Sequence, residues 1–379
     1  SLGYLPERRD RKRPVNRKKA LWMVLVSLLL VILTQAAKKV ALHNPAAVEK
    51  YFSKGIYPVT SRIQSAIANL VPFSLYEIVI VCLSIFALYR LFRLIQSVFR
   101  RNFADEIIRF STQALMIVSI AVFLFQFLWS LNNYRIPIKD QLGLDVRQSS
   151  VSELAETYKA IVESANAARS MLDAVQISDP QQVRKILNSA WEGYPPLAQQ
   201  YTLFHGNRVR VKGLYLFSWV QTISGYAGVF NFFTGEPNIN IQPPIVSLPH
   251  SACHEIAHQM GITLEDEANY ASFLACKNHP DDLFRYSGYL SALTYTGNAL
   301  HAQSPETYAE LSAMLIDEIR ADQQEIREFW DKHQKKAASE IADKVNESYL
   351  KSNNQPDGMH SYGKFVDLLI ADFLQDGEI

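Results

Sequence analysis

Two histidines one helical turn apart, His254 and His258, bracket Glu255 in the run HEIAH. On a helix, residues four apart lie about 400° round the axis, so both rings leave one face. Imidazole nitrogens so placed can share one Zn2+ at roughly 2.0–2.1 Å. Glu255 comes one position after the first ring. It is poorly placed to join the ligand pair, but it can take a proton from a water at the metal. Ile256 and Ala257 are uncharged, as a helix buried behind a metal requires. A catalytic zinc site needs a third protein ligand and an open position. The run Glu265-Asp266-Glu267-Ala268-Asn269, after a helix-breaking Gly261, can fold back and offer that ligand. Glu265, Asn269, Ser272 and Cys276 make a polar stripe at helical spacing, beside an apolar stripe of Leu264, Ala268, Ala271 and Ala275. Glu265 is therefore the favoured ligand, with Asn269 one turn on as partner to it or to a ligand histidine. Glu267, on a different face, stays open as the alternative, and Asp266 is the least favoured.

The elements that must position these residues follow from periodicity and capping. Helices are expected over 150–172 (capped by Ser150 or Ser152), 180–191 and 251–260. A further helix, capped by Thr263, should run to about Lys277. Later ones are expected over 281–301, 306–333, 335–350 and 361–375. Strands are expected over 207–219 and 236–242, the second ended by Pro243-Pro244. Residues 238–241 are candidates for pairing with a substrate backbone, as an edge strand would. Tyr286, Tyr289, Tyr295, His301, His360 and Tyr362 are candidate donors to a developing oxyanion, and none is singled out. His250 and His279 read as ordinary loop histidines. Glu236 is a weak candidate for shaping the site.

Composition limits what else the chain can be. Hydrophobic residues make up 48% and charged residues 20%, which excludes a disordered polyelectrolyte. Lys+Arg total 38 against 37 for Asp+Glu, so binding nucleic acid by bulk phosphate neutralisation is not expected. Three cysteines build no disulfide framework. Cys253 and Cys276 read as buried thiols in preference to a disulfide joining the two metal helices.

The first third of the chain is a different material. Residues 20–37 and 110–131 are uncharged and apolar, and 71–92 is apolar apart from Glu77 and Arg90. Each is near the ~20 residues that cross a bilayer core. Glu77 fits a place at the membrane interface. Residues 1–19 carry eight basic side chains, and Arg93, Arg100, Arg101 and Arg109 lie between the second and third segments. By the positive-inside rule both regions are cytoplasmic, so the 38–71 loop and the domain from 132 to 379 are extracytoplasmic.

HEIAH followed by EDEAN resembles the gluzincin metalloproteases, whose HExxH is followed by a glutamate on a later helix. The longer run FNFFTGEPNINIQPPIVSLPHSACHEIAHQMGITLEDEANYASFLAC is similar to an uncharacterised bacterial family of membrane-anchored metallopeptidases, classed as such by that motif. The three apolar segments and the run SYGKFVDLLIADF fit that family too. The resemblance implies zinc ligands His254, His258 and Glu265, with Glu255 as general base. The spacing from His258 to Glu265 is much shorter than in the best-known gluzincins, which keeps Glu267 open. The expected fold is mainly α with a small β-sheet: three N-terminal transmembrane helices, then a zincin-like, helix-rich domain. The expected function is zinc-dependent hydrolysis of peptide or protein substrates, from a multi-pass bacterial inner-membrane protein. The alternative is a non-catalytic receptor or assembly factor with a structural or vestigial zinc site. Cleavage inside the bilayer is disfavoured because the motif lies in a polar stretch far from any apolar segment.

Overall fold

The computed structural model describes residues 15–100, 102–353 and 362–379, and it is mainly helical with one small sheet. It divides into two compact units: one of residues up to Val40 with Ile78–Phe127, and one of Ala41–Glu77 with Leu128–Ile379. In chain order the first helices are α1 (Arg17–Leu42), α2 (Tyr57–Ala68), α3 (Leu75–Phe99) and α4 (Phe103–Leu128). Helices α1, α3 and α4 are long and apolar enough to cross a membrane, and hardly any of their apolar surface is buried by protein. Such surface is stable against lipid and costly against water. The chain is a membrane protein on this ground.

The span boundaries move. α1 extends at both ends beyond residues 20–37. α3 starts at Leu75, not at residue 71, because Pro72 lies in a turn just before it. The helices of the second and third spans extend into the expected basic loop, so Arg93 and Arg109 sit on helices. Within this hairpin Arg90 pairs with Glu106 at 3.3 Å. The last helix ends at Leu128. Trp129 leaves helical geometry at φ −154°, and residues 130–134 form a 3-10 turn buried in the second unit.

That second unit contains the segment between the first two spans, which is helical and not a plain loop. Residues 48–56 form a wide π-helical turn, followed by α2. Arg135 grips Glu49 through two guanidinium nitrogens at 2.9 and 3.0 Å. The buried Lys212 ammonium donates to the Ala68 carbonyl at 2.9 Å and to the Val71 carbonyl, which fixes the end of α2.

The remaining helices include α5 (Val151–Ser170), α6 (Ser218–Ser224), α7 (Leu248–Gln259), α8 (Glu265–Lys277), α9 (Asp282–Gln303), α10 (Asp317–His333), α11 (Lys336–Ser352) and α12 (Tyr362–Asp376). Ser150 and Glu153 close a capping box at the start of α5. α9 packs along α5, α7 and α8, and α12 closes over α8 and α9. The core between them holds Tyr194, Ile256, Ala257, Phe273, Phe284 and Phe365, all fully buried.

Three local expectations fail for tertiary reasons. The helix expected over 306–333 breaks into Pro305–Ser312 and α10. The Asn166 side chain captures the Met314 carbonyl (2.9 Å) and the Ile316 amide (3.1 Å) across the gap. Thr263 does not cap α8; the N-cap position falls on Leu264, which makes no side-chain bond. The strand expected over 207–219 shrinks to β1 (Lys212–Leu214). The Glu77 carboxylate accepts from the amides of Tyr215, Leu216 and Phe217 at 3.3, 2.7 and 2.9 Å, which ends the strand before α6.

With β2 (Gly228–Asn231) and β3 (Glu236–Asn240), β1 forms a sheet of order β1-β3-β2. β3 is central, parallel to β1 and antiparallel to β2, with Gly228 opposite Ile239. Residues 238–240 therefore have both edges occupied, so they are not a free edge for a substrate. β2 is the edge strand on that side. Glu236, fully buried, accepts from the amides of Leu75 and Tyr76 at 3.1 and 3.0 Å and so caps α3.

Candidate metal centre

The HEIAH run lies in the last two turns of α7, and the chain reverses at Gly261 to begin α8 on Glu265. Gly261 has φ +82°, and a Cβ there would lie 2.9 Å from the side chains of both Asn132 and Tyr57. The left-handed turn therefore needs glycine for conformation and for space. Gly261→Ala is expected to cost at least ~1–2 kcal/mol from backbone strain alone. The measurement is thermal denaturation of the purified protein, and an unchanged melting temperature would count against a strained turn.

This reversal brings His254, His258 and Glu265 together, with their ligating atoms all within 4.8 Å of one another. His254 Nε2 lies 3.2 Å from Glu265 Oε2, and His258 Nε2 lies 3.6 Å from Glu265 Oε1. The two rings are 4.6 Å apart and perpendicular. A tetrahedral ion with ligand bonds of roughly 2.0–2.1 Å has ligands about 3.3 Å from each other. The spacings to Glu265 are of that size. His258 Nδ1 donates to the Ile262 carbonyl at 2.8 Å, so Nε2 is the nitrogen that faces Glu265 and that a cation would bind in place of a proton. The donor set is two imidazoles and one carboxylate, and it fits a zinc ion with one position open.

The charges of the site without a cation point the same way. Burial pulls the His258 imidazolium down, yet Glu265 and Glu255 outweigh it and hold its pKa up at about 9. Burial likewise opposes the Glu265 charge, but His258 and His254 hold its carboxyl well below the usual range. Burial lowers His254, against the hydrogen bond that its ring donates to Glu265. A carboxylate between two imidazoles thus attracts positive charge, here a proton on one ring. Glu255 is different. Burial pushes its carboxyl up to about 8, with His258 opposing and Glu265 reinforcing. Its Oε2 is buried without a hydrogen-bond partner. The β2 backbone crowds the other oxygen, since a Cβ on Gly228 would fall 2.5 Å from Glu255 Oε1.

Asn269 lies one turn beyond Glu265, near His254 and Tyr295, with its Nδ2 buried and without a hydrogen-bond partner among the described residues. Glu267 faces elsewhere: it accepts from the Ile138 amide at 2.7 Å and is pushed up to about 8 by burial and by Asp266. Asp266 is buried too and takes no part in the cluster. Cys253 and Cys276 are free and fully buried. His250 has its ring 6.5 Å from that of His254 and lies outside the cluster. His279 stacks on Phe284 at 3.7 Å and bonds to the Ser189 carbonyl.

Among the donor candidates, Tyr286 is committed to Asp322 at 2.6 Å and Tyr289 to the Ile379 carbonyl at 3.2 Å. His301 packs against Tyr308. His360 and the Tyr362 side chain lie outside the described residues. Three tyrosines feel the Glu265 carboxylate: Tyr295, Tyr226 and Tyr349. Sequence reasoning missed the last two and Trp129. Trp129 Nε1 donates to the His258 carbonyl at 3.1 Å, its ring meets His258 edge-on, and Tyr349 stacks on it at 6.4 Å. No local pattern marks these residues. Trp129 sits at the end of an apolar run, and Tyr349 and Tyr226 are far from the motif in sequence.

Residues 52–370 match a family described as a protein of unknown function, DUF3810. No curated protein and no solved structure matches the chain.

Proposed function

Because the chain belongs to DUF3810, a family whose description assigns no chemistry, we propose a function from the site itself: a membrane-anchored, zinc-dependent peptidase. The observation that carries the proposal is Glu255, buried beside a three-ligand cluster with one carboxylate oxygen unpartnered. A purely structural zinc site has no use for such a group. His254, His258 and Glu265 would hold the ion. A zinc ion there would supply Lewis acidity and lower the pKa of the attacking water.

The chain's own residues do the rest. Glu255 accepts the proton of the attacking water and returns it to the leaving amine. The Gly228 backbone holds that carboxylate in place. β2 offers the open sheet edge along which an extended peptide can lie. Trp129 and the Ile262 carbonyl fix His258 from both sides. A tyrosine hydroxyl near Glu265 donates to the developing oxyanion. Changing Tyr226, Tyr295 and Tyr349 singly to Phe is expected to lower kcat roughly 10²–10³-fold for one of the three. KM should barely change. Equal kcat in all three variants would remove tyrosine from the mechanism.

The arrangement of α7, α8 and the sheet is read as zincin-like. The basic N-terminal tail and α3–α4 turn favour a bacterial inner-membrane orientation with the site outside the cytoplasm. The test uses full-length protein in nanodiscs. Elemental analysis should find one zinc per chain, and a peptide library should be cleaved, with activity lost to a chelator and restored by zinc. Bound zinc with no cleavage across the library would favour a structural or vestigial zinc site.

A further inference from the structure

A cavity of about 280 Å³ opens beside α2, and none of the three metal-binding side chains lines it. Its wall includes Arg62, Ser65, Asn69, His205, Arg208 and Gln259. Arg62 and Arg208 are solvent-exposed and, among the described residues, neither is in an ion pair. The wall is built, not incidental. Asn69 accepts from the Arg210 amide at 3.2 Å and donates to the Arg208 carbonyl at 3.3 Å, which fastens that strand of chain to α2. Two buried polar atoms have no partner there, His205 Nδ1 and Gln259 Oε1. The site thus offers two cations for an anion and buried groups that a hydrogen-bond donor can satisfy.

The surface next to the cavity is apolar. α2 buries Tyr57, Ser61, Ser65 and Ala68 on one side. On the other it exposes Val59, Ile63 (57%) and Ile67 (56%), continued by Leu70 (82%). These recur at three- and four-residue steps, so they form one stripe, and Arg62 lies one step round the helix from it. Leu216, in the loop that Glu77 fastens to the start of α3, and Trp219, at the start of α6, are exposed too. A short helix with an apolar outer stripe and flanking arginine, tied by the chain to a span on each side, has the character of an interfacial helix. A free anion would explain the two arginines but not the stripe.

We propose that this cavity binds the phosphate of a phospholipid whose headgroup also carries a hydrogen-bond donor, with the α2 stripe against the acyl chains. Arg62 and Arg208 take the phosphate. A headgroup hydroxyl or ammonium meets Gln259 Oε1 or His205 Nδ1. Phosphatidylglycerol meets both requirements, whereas phosphatidylcholine has no headgroup donor.

The experiment is native mass spectrometry of the full chain released from phosphatidylcholine nanodiscs doped with phosphatidylglycerol. The wild type should retain phosphatidylglycerol in preference to phosphatidylcholine. The Arg62→Gln/Arg208→Gln double variant should lose at least tenfold of that retention, and Arg184→Gln, an exposed arginine that does not line the cavity, should lose none. Thermal melting checks that the double variant folds, and either single variant replaces it otherwise. Undiminished retention in the arginine variants overturns the proposal. So does equal retention of phosphatidylcholine. Displacement of the lipid by millimolar inorganic phosphate at matched ionic strength overturns it in favour of a free-anion site.

Discussion

Replacing Glu255 by glutamine is expected to abolish peptide hydrolysis while the metal stays bound. The amide has the size and shape of the carboxylate, so packing against the Gly228 backbone is kept, but it cannot accept the water's proton. General acid–base catalysis contributes roughly 10²–10⁴-fold, and a loss in that range should appear in kcat. The zinc content should match the wild type, because Glu255 lies outside the ligand cluster. The measurement is paired elemental analysis and turnover of one cleavable peptide. A variant that keeps more than a tenth of wild-type kcat would show that another group carries the proton.

Glu265→Ala is expected to strip the metal, and Glu267→Gln is expected to retain it. Glu265 lies 3.2 and 3.6 Å from the two imidazoles and is the only carboxylate of the Glu265–Glu267 run in the cluster. Its removal would take away one of the three proposed ligands. The loss in zinc affinity should exceed the roughly 10–100-fold cost of deleting an outer-layer partner. Glu267 is engaged with the Ile138 amide at 2.7 Å. Its amide variant should disturb local stability, where a buried acceptor is exchanged for a weaker one, and leave zinc affinity within a few-fold. Competition with a chromophoric chelator measures both. Retained zinc in Glu265→Ala together with lost zinc in Glu267→Gln would reverse the ligand assignment and with it the reading of the site.

Short-range regularities carried much of this molecule into the sequence. The four-residue spacing of His254 and His258 places both rings on one side of any helix that contains them, whatever surrounds it. Gly261 marks a reversal because only glycine adopts its φ without strain. Ser150 with Glu153 closes a capping box within three residues. Spans of apolar side chains need no partner but lipid, so their composition alone identifies the helices.

Contacts between residues remote in sequence decided the rest. The strand at 212–214 stops where it does because Glu77, 138 residues away, takes the next amides. The helix expected over 306–333 divides because Asn166 holds its broken ends. Trp129 reads as the end of a membrane span until its indole is seen on the His258 carbonyl. Glu265 and Glu267 are two residues apart on one short helix, and spacing alone left both open as the third ligand. The direction in which α8 leaves the Gly261 turn points Glu265 at the imidazoles and Glu267 at Ile138. The turn sits tightly against Tyr57 and Asn132, residues no local pattern connects to the motif. Sequence periodicity sets which side chains share a face, and only the folded chain sets what that face meets.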